Sequence, residues 1–253
     1  MKVWRPAVDS NGFRSRSPEV SRLEGFSDAV FGFCLTLLVV ALQVPQSFNE
    51  LVQNLRGFAA FGFSFAMLYY VWNLHFLYCR RFGLEDGTVR TLTGFLLFIV
   101  ALYVYPLKFL STLFFGSLVG LDPKNGLKIE PNQIPTLFKI YGVGFALIFA
   151  LLAFMYQHAY RWRDALEMDE IEQFATRSEI GMMRLMSAVG LLSVAVASIT
   201  PLNYSGAAGY VYFIIGPAAS FYGGYSGRRI RLMLEAREAK VKLASIEDEP
   251  GTS

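Results

Sequence analysis

Two cysteines and 17% charged residues are scarce in a chain of 253 amino acids, and each scarcity excludes something. Cys34 lies inside an apolar segment and Cys79 at the end of another, so no disulfide framework is implied. No group of residues has the spacing of zinc ligands. A soluble domain carries about 25% charged residues. The shortfall, together with 54% apolar and 15% aromatic residues and a mean hydropathy of +0.39, points to a chain that lives in a bilayer. The first 20 residues lack the apolar core of a signal peptide and read as a polar tail. The net charge of +3 is small, and its distribution carries the information.

What is present is long apolar runs. A bilayer core requires about 20 such residues in a helix, and six segments meet or approach this: 23–44, 56–78, 90–110, 137–159, 184–201 and 207–226. The predicted fold is an all-α integral membrane protein with six transmembrane helices. The fifth segment, around GLLSVAVASIT, is short and rich in Ala, Ser and Gly, as in helices that pack closely on their neighbours. Pro106 and Lys108 interrupt the third. The following LSTLFFGSLVG (110–120) stays apolar and either extends that helix or lies at the interface.

Lysine and arginine give the orientation. Lys2, Arg5, Arg14, Arg16 and Arg22 precede the first segment, and Arg80, Arg81 and Arg90 lie between the second and third. Arg161, Arg163, Arg177 and Arg184 lie between the fourth and fifth; Arg228, Arg229, Arg231, Arg237, Lys240 and Lys242 follow the sixth. Of 23 basic residues, only Arg56, Lys108, Lys124, Lys128 and Lys139 fall on the other side. The basic side is cytoplasmic by the positive-inside rule, so both termini are cytoplasmic and the number of spans is even. The chain then divides into a cytoplasmic tail (1–20), a six-helix membrane domain (21–227) and a cytoplasmic helix and tail (228–253), frayed from Ile246 onward. The acidic run Asp164, Glu167, Asp169, Glu170 and Glu172 reads as a solvated helix face.

The stretch RLEGFSDAVFGFCLTLLVVAL (22–42) carries the chemistry. Ser21 and Glu24 have the spacing of a capping box, which starts a helix at Arg22. Asp28 sits a turn or two inside, where an ionisable residue is costly and marks a site with a partner. Glu24, at i−4, repels it. Arg22 is six residues away, about 9 Å along the axis, and off its face. The partner is expected on another helix. The second segment ends VWNLHFLYCRRF and crosses in the opposite sense, which brings Ser27, Asp28, Asn73 and His75 to one depth as a polar layer that pairs helices. Trp72 and His75 also suit anchors at the membrane interface.

Arg22, Phe26, Ser27 and Asp28 spell R-x-x-x-F-S-D, and AVFGFCLTLLVV follows. This string resembles the signature of the transmembrane protein 175 family of potassium channels, and Trp72 and His75 resemble the W-x-x-H of that family's second span. The resemblance implies a potassium-selective or potassium-preferring channel of the single-repeat prokaryotic type, a homotetramer in the cell membrane. Passive K+ flux would run through a hydrophobic constriction of the first helix. It implies no catalytic residues, no metal site and no cofactor beyond the permeating K+. The partners it implies are the lipid bilayer and further copies of the chain, with no nucleic acid and no substrate other than monovalent cations.

Spacing places Phe33, Thr36 or Leu37, and Val40 on one helix face, and hydrophobic constrictions gate by dewetting. By the resemblance, Phe33 stands where relatives carry Ile or Leu at the narrowest point, Thr36 matches a family threonine, and Val40 is the next hydrophobic layer. Four phenylalanine rings fill more space than four isoleucines, which implies a closed or differently selective pore. No TVGYG filter is present; YGGYSG (222–227) reads as a flexible helix terminus. Two other functions compete. An enzyme using Asp28 and His75 as acid and base lacks a third catalytic group, a metal set or a phosphate loop. A cation or proton-coupled transporter, the alternative, is built from repeats with broken helices; Pro106 and Gly216-Pro217 could break helices, but no matching halves are visible.

Overall fold

Apolar residues that recur every three or four positions become six long helices in the computed structural model, which describes residues 12–17, 19–40, 46–48, 52, 58–119, 129–201 and 206–247. The helices are α1 (Arg22–Val40), α2 (Phe58–Phe82), α3 (Gly87–Val119), α4 (Ile134–Arg161), α5 (Glu170–Ile199) and α6 (Ile215–Glu247). A 3-10 turn, Pro131–Gln133, leads into α4. A short helix, Ala207–Tyr210, and a 3-10 turn, Val211–Ile214, lead into α6. Among the described residues, four helices are long and apolar enough to cross a membrane: α1, α3, α4 and α5. The other two segments read as spans from the sequence fall short of that standard. In α2, Tyr69, Tyr70, Asn73, His75, Arg80 and Arg81 dilute the apolar run, and the second half of α6 is charged. Lys2, Arg5, Arg56, Lys124, Lys128, the ends assigned to spans one and two at 41–44 and 56–57, and the last six residues of the C-terminal tail lie outside the described residues.

The core shows why the helices pack. Phe31, Cys34 and Leu38 of α1 meet Leu68, Val71, Leu74 and Tyr78 of α2 and Leu96, Val100 and Val104 of α3, all buried. Leu152, Met155 and Tyr156 of α4 and Ile180, Met183 and Met186 of α5 complete it. The two buried cysteines are unpaired thiols. The short-residue composition of the fifth segment has a visible cause. A Cβ added at Gly190 would lie 2.8 Å from the Gly142 carbonyl, and one added at Gly142 would lie 2.7 Å from the Gly190 carbonyl. At this crossing α4 and α5 touch backbone to backbone, as small residues permit.

Four features decide or correct the sequence reading. First, of the two readings left open for 110–120, the structure takes the extension: α3 continues through Pro106 to Val119. Proline has no N–H to give its own turn. The Tyr141 hydroxyl from α4 sits inside the next turn, donating to the Pro106 carbonyl and accepting from the Leu110 N–H at 2.9 Å. A side chain inserted in the ladder is a recognised way for a helix to pass an interruption. Tyr141→Phe is expected to lower stability by about 1–3 kcal/mol, the cost of leaving buried polar groups unpaired, read as a fall in the thermal midpoint in detergent; an unchanged midpoint would show that the hydroxyl is dispensable.

Second, α5 begins at Glu170, well ahead of 184, because Asp169 caps it. Asp169 Oδ1 accepts from the Glu172 N–H at 2.9 Å, and Glu172 Oε2 accepts from the Asp169 N–H at 3.2 Å. Third, the acidic run is therefore not a solvated face throughout: Glu172 is fully buried. Fourth, YGGYSG does not end a helix. Ser226 bonds Ser178 of α5 at 2.6 Å and Tyr222 lies against Gly181, so α6 passes through the glycines to Glu247 as one helix.

Candidate functional site on the first helix

The start of α1 is capped on one side only. Ser21 Oγ accepts from the Glu24 N–H at 3.1 Å, half of the expected capping box. The Glu24 carboxylate does not return to Ser21. It is 1% exposed and faces Arg80 of α2, with Oε1 3.0 Å from Nε. That contact is an ion pair without hydrogen-bond geometry, and neither Glu24 oxygen has a hydrogen-bond partner among the described residues. Arg80 is therefore the counter-charge of a buried carboxylate.

One turn further in, Trp72 Nε1 of α2 donates to Asp28 Oδ1 at 2.7 Å. The partner of Asp28 lies on the second helix, as expected, and it is the indole. Trp72 is held in place by its own helix. Tyr69 lies 5.3 Å away and Phe76 5.4 Å away between ring centroids, and the Arg80 guanidinium covers Phe76 at 5.5 Å. Tyr69, Trp72, Phe76 and Arg80 follow i, i+3, i+7, i+11 and form one face of α2, the face that α1 meets.

The remaining members of the expected polar layer go elsewhere. Ser27 is buried and donates to the Leu23 carbonyl of its own helix at 2.8 Å. His75 is buried on another face of α2. Its Nε2 is 3.4 Å from Thr93 Oγ1 of α3, its Nδ1 is 3.8 Å from Cys79 Sγ, and its ring is 6.2 Å from that of Phe31. Asn73 is half-buried, and no hydrogen bond joins it to Ser27, Asp28 or His75 among the described residues. The physical reason is the 100° step between neighbours on a helix: equal depth does not give equal facing. Arg22 and Phe26 are exposed.

While Glu24, Ser27, Phe31, Cys34 and Leu38 turn α1 towards the core, the opposite face is bare. Arg22, Gly25, Phe26, Ala29, Gly32, Phe33, Thr36, Val39 and Val40 are all exposed in the protomer or nearly so, Phe33 at 63% and Val40 at 72%. A Cβ added at Gly32 would meet nothing within 4 Å. Thr36 donates its hydroxyl to the Gly32 carbonyl at 2.9 Å. Leu37 is half-buried and packs against the core. Arg80 and Thr93 are among the residues of this site that sequence reasoning did not single out, with Tyr69 and Phe76 beside Trp72. The spacing of Arg80 from Trp72 is a signal that could have found the first, and nothing local marks the second.

The comparisons with known proteins agree with one another. Residues 22–103 match the model of a family described as endosomal/lysosomal potassium channel TMEM175. A protein described as a potassium channel from Marivirga tractuosa is 31% identical over 244 residues, which cover 92% of this chain and 99% of that one. A potassium channel of Chamaesiphon minutus is 30% identical over 101 residues, 37% of this chain and 50% of that one. Among solved structures, a single-substitution variant of the potassium channel MtTMEM175, crystallised with a nanobody–MBP fusion, superposes with a TM-score of 0.75 at 29% identity, covering 88% of this chain and all of that one. A TMEM175 homologue from Chamaesiphon minutus, 20% identical and covering 83% of this chain and 99% of that one, shares the fold at a TM-score of 0.53. The chain belongs to the TMEM175 family of potassium channels.

Proposed function

We propose that the protein conducts K+ passively as a homotetramer, with α1 of each subunit lining a central pore whose hydrophobic constriction is made by Phe33, Thr36 and Val40, with Leu37 flanking it. The observation that carries this reading is the bare stripe of α1. It runs the length of the helix, on an element whose other face is pinned by Glu24–Arg80 and Asp28–Trp72. The stripe differs in kind from the exposed face of α3, where Phe95, Phe98, Leu102 and Tyr105 form a bulky surface suited to lipid chains. On α1, Gly25, Ala29, Gly32 and Thr36 alternate with the large residues, a texture suited to close approach of further helices around a narrow axis. Hydrophobic rings of this kind gate by dewetting.

In this reading α2 and α6 cross the membrane with the other four helices, α6 together with the turns that lead into it, which makes six spans with both termini cytoplasmic. Its support is the gathering of Arg14, Arg16, Arg80, Arg81 and Arg237 at one end of the bundle, read by the positive-inside rule. Asp28, Ser27 and the Trp72 face of α2 hold the pore helix and take no part in ion contact.

The test is flux from liposomes holding the purified protein under a K+ gradient, repeated with Na+. Faster K+ than Na+ flux is expected. Phe33→Ala, which removes four rings from the axis, is expected to raise K+ flux several-fold and to narrow the difference between the two ions, while Phe33→Ile changes both less. Currents unchanged in conductance and selectivity in both variants would remove Phe33 from the pore. An assembled tetramer that passes neither ion would sink the channel reading for this chain.

A further inference from the structure

Residues 12–17 precede the family motif and belong to no helix, yet they are densely fastened to the bundle. Phe13 is buried, edge-on to Phe82 at 5.9 Å between ring centroids and beneath the Arg81 guanidinium at 4.5 Å. Gly12 has φ +80°, a left-handed backbone that favours glycine, and a Cβ there would lie 3.0 Å from the Leu234 side chain and 3.3 Å from that of Ile171. Arg14 gives Glu172 its backbone N–H at 2.9 Å, its Nε at 3.3 Å and its Nη2 at 3.0 Å. Arg16 gives the same carboxylate Nη1 at 3.1 Å and Nη2 at 2.7 Å. Its Nε donates to the Leu166 carbonyl at 2.9 Å. The backbone is stitched to α2 as well: the Arg16 N–H donates to the Arg80 carbonyl at 3.0 Å, and Arg80 Nη1 donates to the Ser17 carbonyl at 3.1 Å.

One buried carboxylate thus serves two arginines and the cap of α5. Arg237 of α6 reaches the other half of that cap, Asp169, at 3.0 Å. Three helices converge on this anchor, and the chain leaving it enters α1 at Arg22. The chain from Ser17 to Arg22 is a tether of at most roughly 17 Å when fully extended. Arg80 joins the two ends of this arrangement, since it bonds the strap at Ser17 and faces Glu24 inside α1.

We propose that residues 12–17 are a strap that sets the position of the pore helix, with Glu172 as its anchor and Arg14 and Arg16 as positioning residues for conduction. The proposal rests on the reading that α1 lines the pore. The strap acts by fixing where the entry end of α1 lies relative to α2 and α5, and so how closely four copies of α1 approach one axis.

The experiment separates holding α1 from stabilising the fold. Four glycines inserted between Glu19 and Val20 leave the clamp and the Ser21 cap intact and slacken only the tether. In liposomes this variant is expected to keep the wild-type thermal midpoint and tetramer while its K+ flux falls at least fivefold. The triple variant Arg14→Gln, Arg16→Gln, Glu172→Gln, which keeps polar side chains without charge, is expected to lose flux to a similar extent, and the two changes combined to lose no more. An insertion variant whose flux stays within twofold of wild type overturns the strap, whatever the triple variant does, because the clamp then serves stability alone. Phe33→Ala run in parallel reports on the pore itself. If it changes flux and the insertion does not, the strap fails and the pore stands. If the wild type passes no K+, the pore reading fails and the strap with it.

Discussion

Trp72→Phe is expected to weaken the protein and its conduction together, because it removes one hydrogen bond and leaves an acid behind. The indole N–H is the donor that Asp28 receives from another helix, at 2.7 Å. Phenylalanine keeps the ring contacts with Tyr69 and Phe76 but cannot donate. A hydrogen bond to a charged group contributes about 1.5–3 kcal/mol, and native proteins are stable by only about 5–15 kcal/mol. The thermal midpoint in detergent should fall clearly, and K+ flux should fall with it as α1 loses its register against α2. Deleting both partners tests the cause. Because replacing both by apolar groups can be nearly neutral, the pair Asp28→Leu and Trp72→Phe should be more stable than Trp72→Phe alone. Equal stability of Trp72→Phe and wild type would show that Asp28 draws its support from elsewhere.

That bond also shows how far the sequence could be read. The membrane class, the start of α1 at Arg22 and the need of Asp28 for a partner on the second helix all follow from local patterns: apolar runs, a capping residue and an acid where none should be. Which residue of VWNLHFLYCRRF would face Asp28 depends on the rotation of α2. The rotation is fixed by Leu68, Val71, Leu74 and Tyr78 entering the core. With those four inward, Trp72 turns to α1 and His75 to α3, and the polar layer expected from depth alone divides in two. Glu24 was hidden for a different reason. S-x-x-E reads as self-sufficient, so nothing local announces that the carboxylate leaves its cap for Arg80. Glu172 is the extreme case. It lies in an acidic run that looks solvated, and its partners stand at Arg14 and Arg16, 158 and 156 positions earlier in the chain. Burial of that kind belongs to the tertiary fold and has no local signature.

Arg80→Met is expected to have the largest effect on folding of any single change at the site. Glu24 is 1% exposed, and Arg80, at 3.0 Å, is the cation that faces it. Taking away one partner of a buried ion pair costs about 3–5 kcal/mol, because the remaining charge stays desolvated without compensation. Methionine preserves most of the length and apolar contact of the arginine stem, so the loss reports on charge. The substitution also removes the part-buried bond to the Ser17 carbonyl. The protein should express poorly or elute as aggregate, and the folded fraction should melt well below wild type. Adding Glu24→Leu should reverse most of the loss, since replacing a buried pair with apolar residues of similar size is often neutral or stabilising. The rescued double variant, which also lacks the bond to the Ser17 carbonyl, then reports what Arg80 and its pair with Glu24 do besides stabilise. If Glu24–Arg80 holds only the fold, the double variant conducts K+ as wild type does. If it also fixes the angle at which α1 enters the bundle, the double variant is stable and conducts less. An Arg80→Met protein that melts with the wild type would show that Glu24 is compensated by some group other than Arg80, and the Glu24–Arg80 pair would no longer explain how α1 enters the bundle.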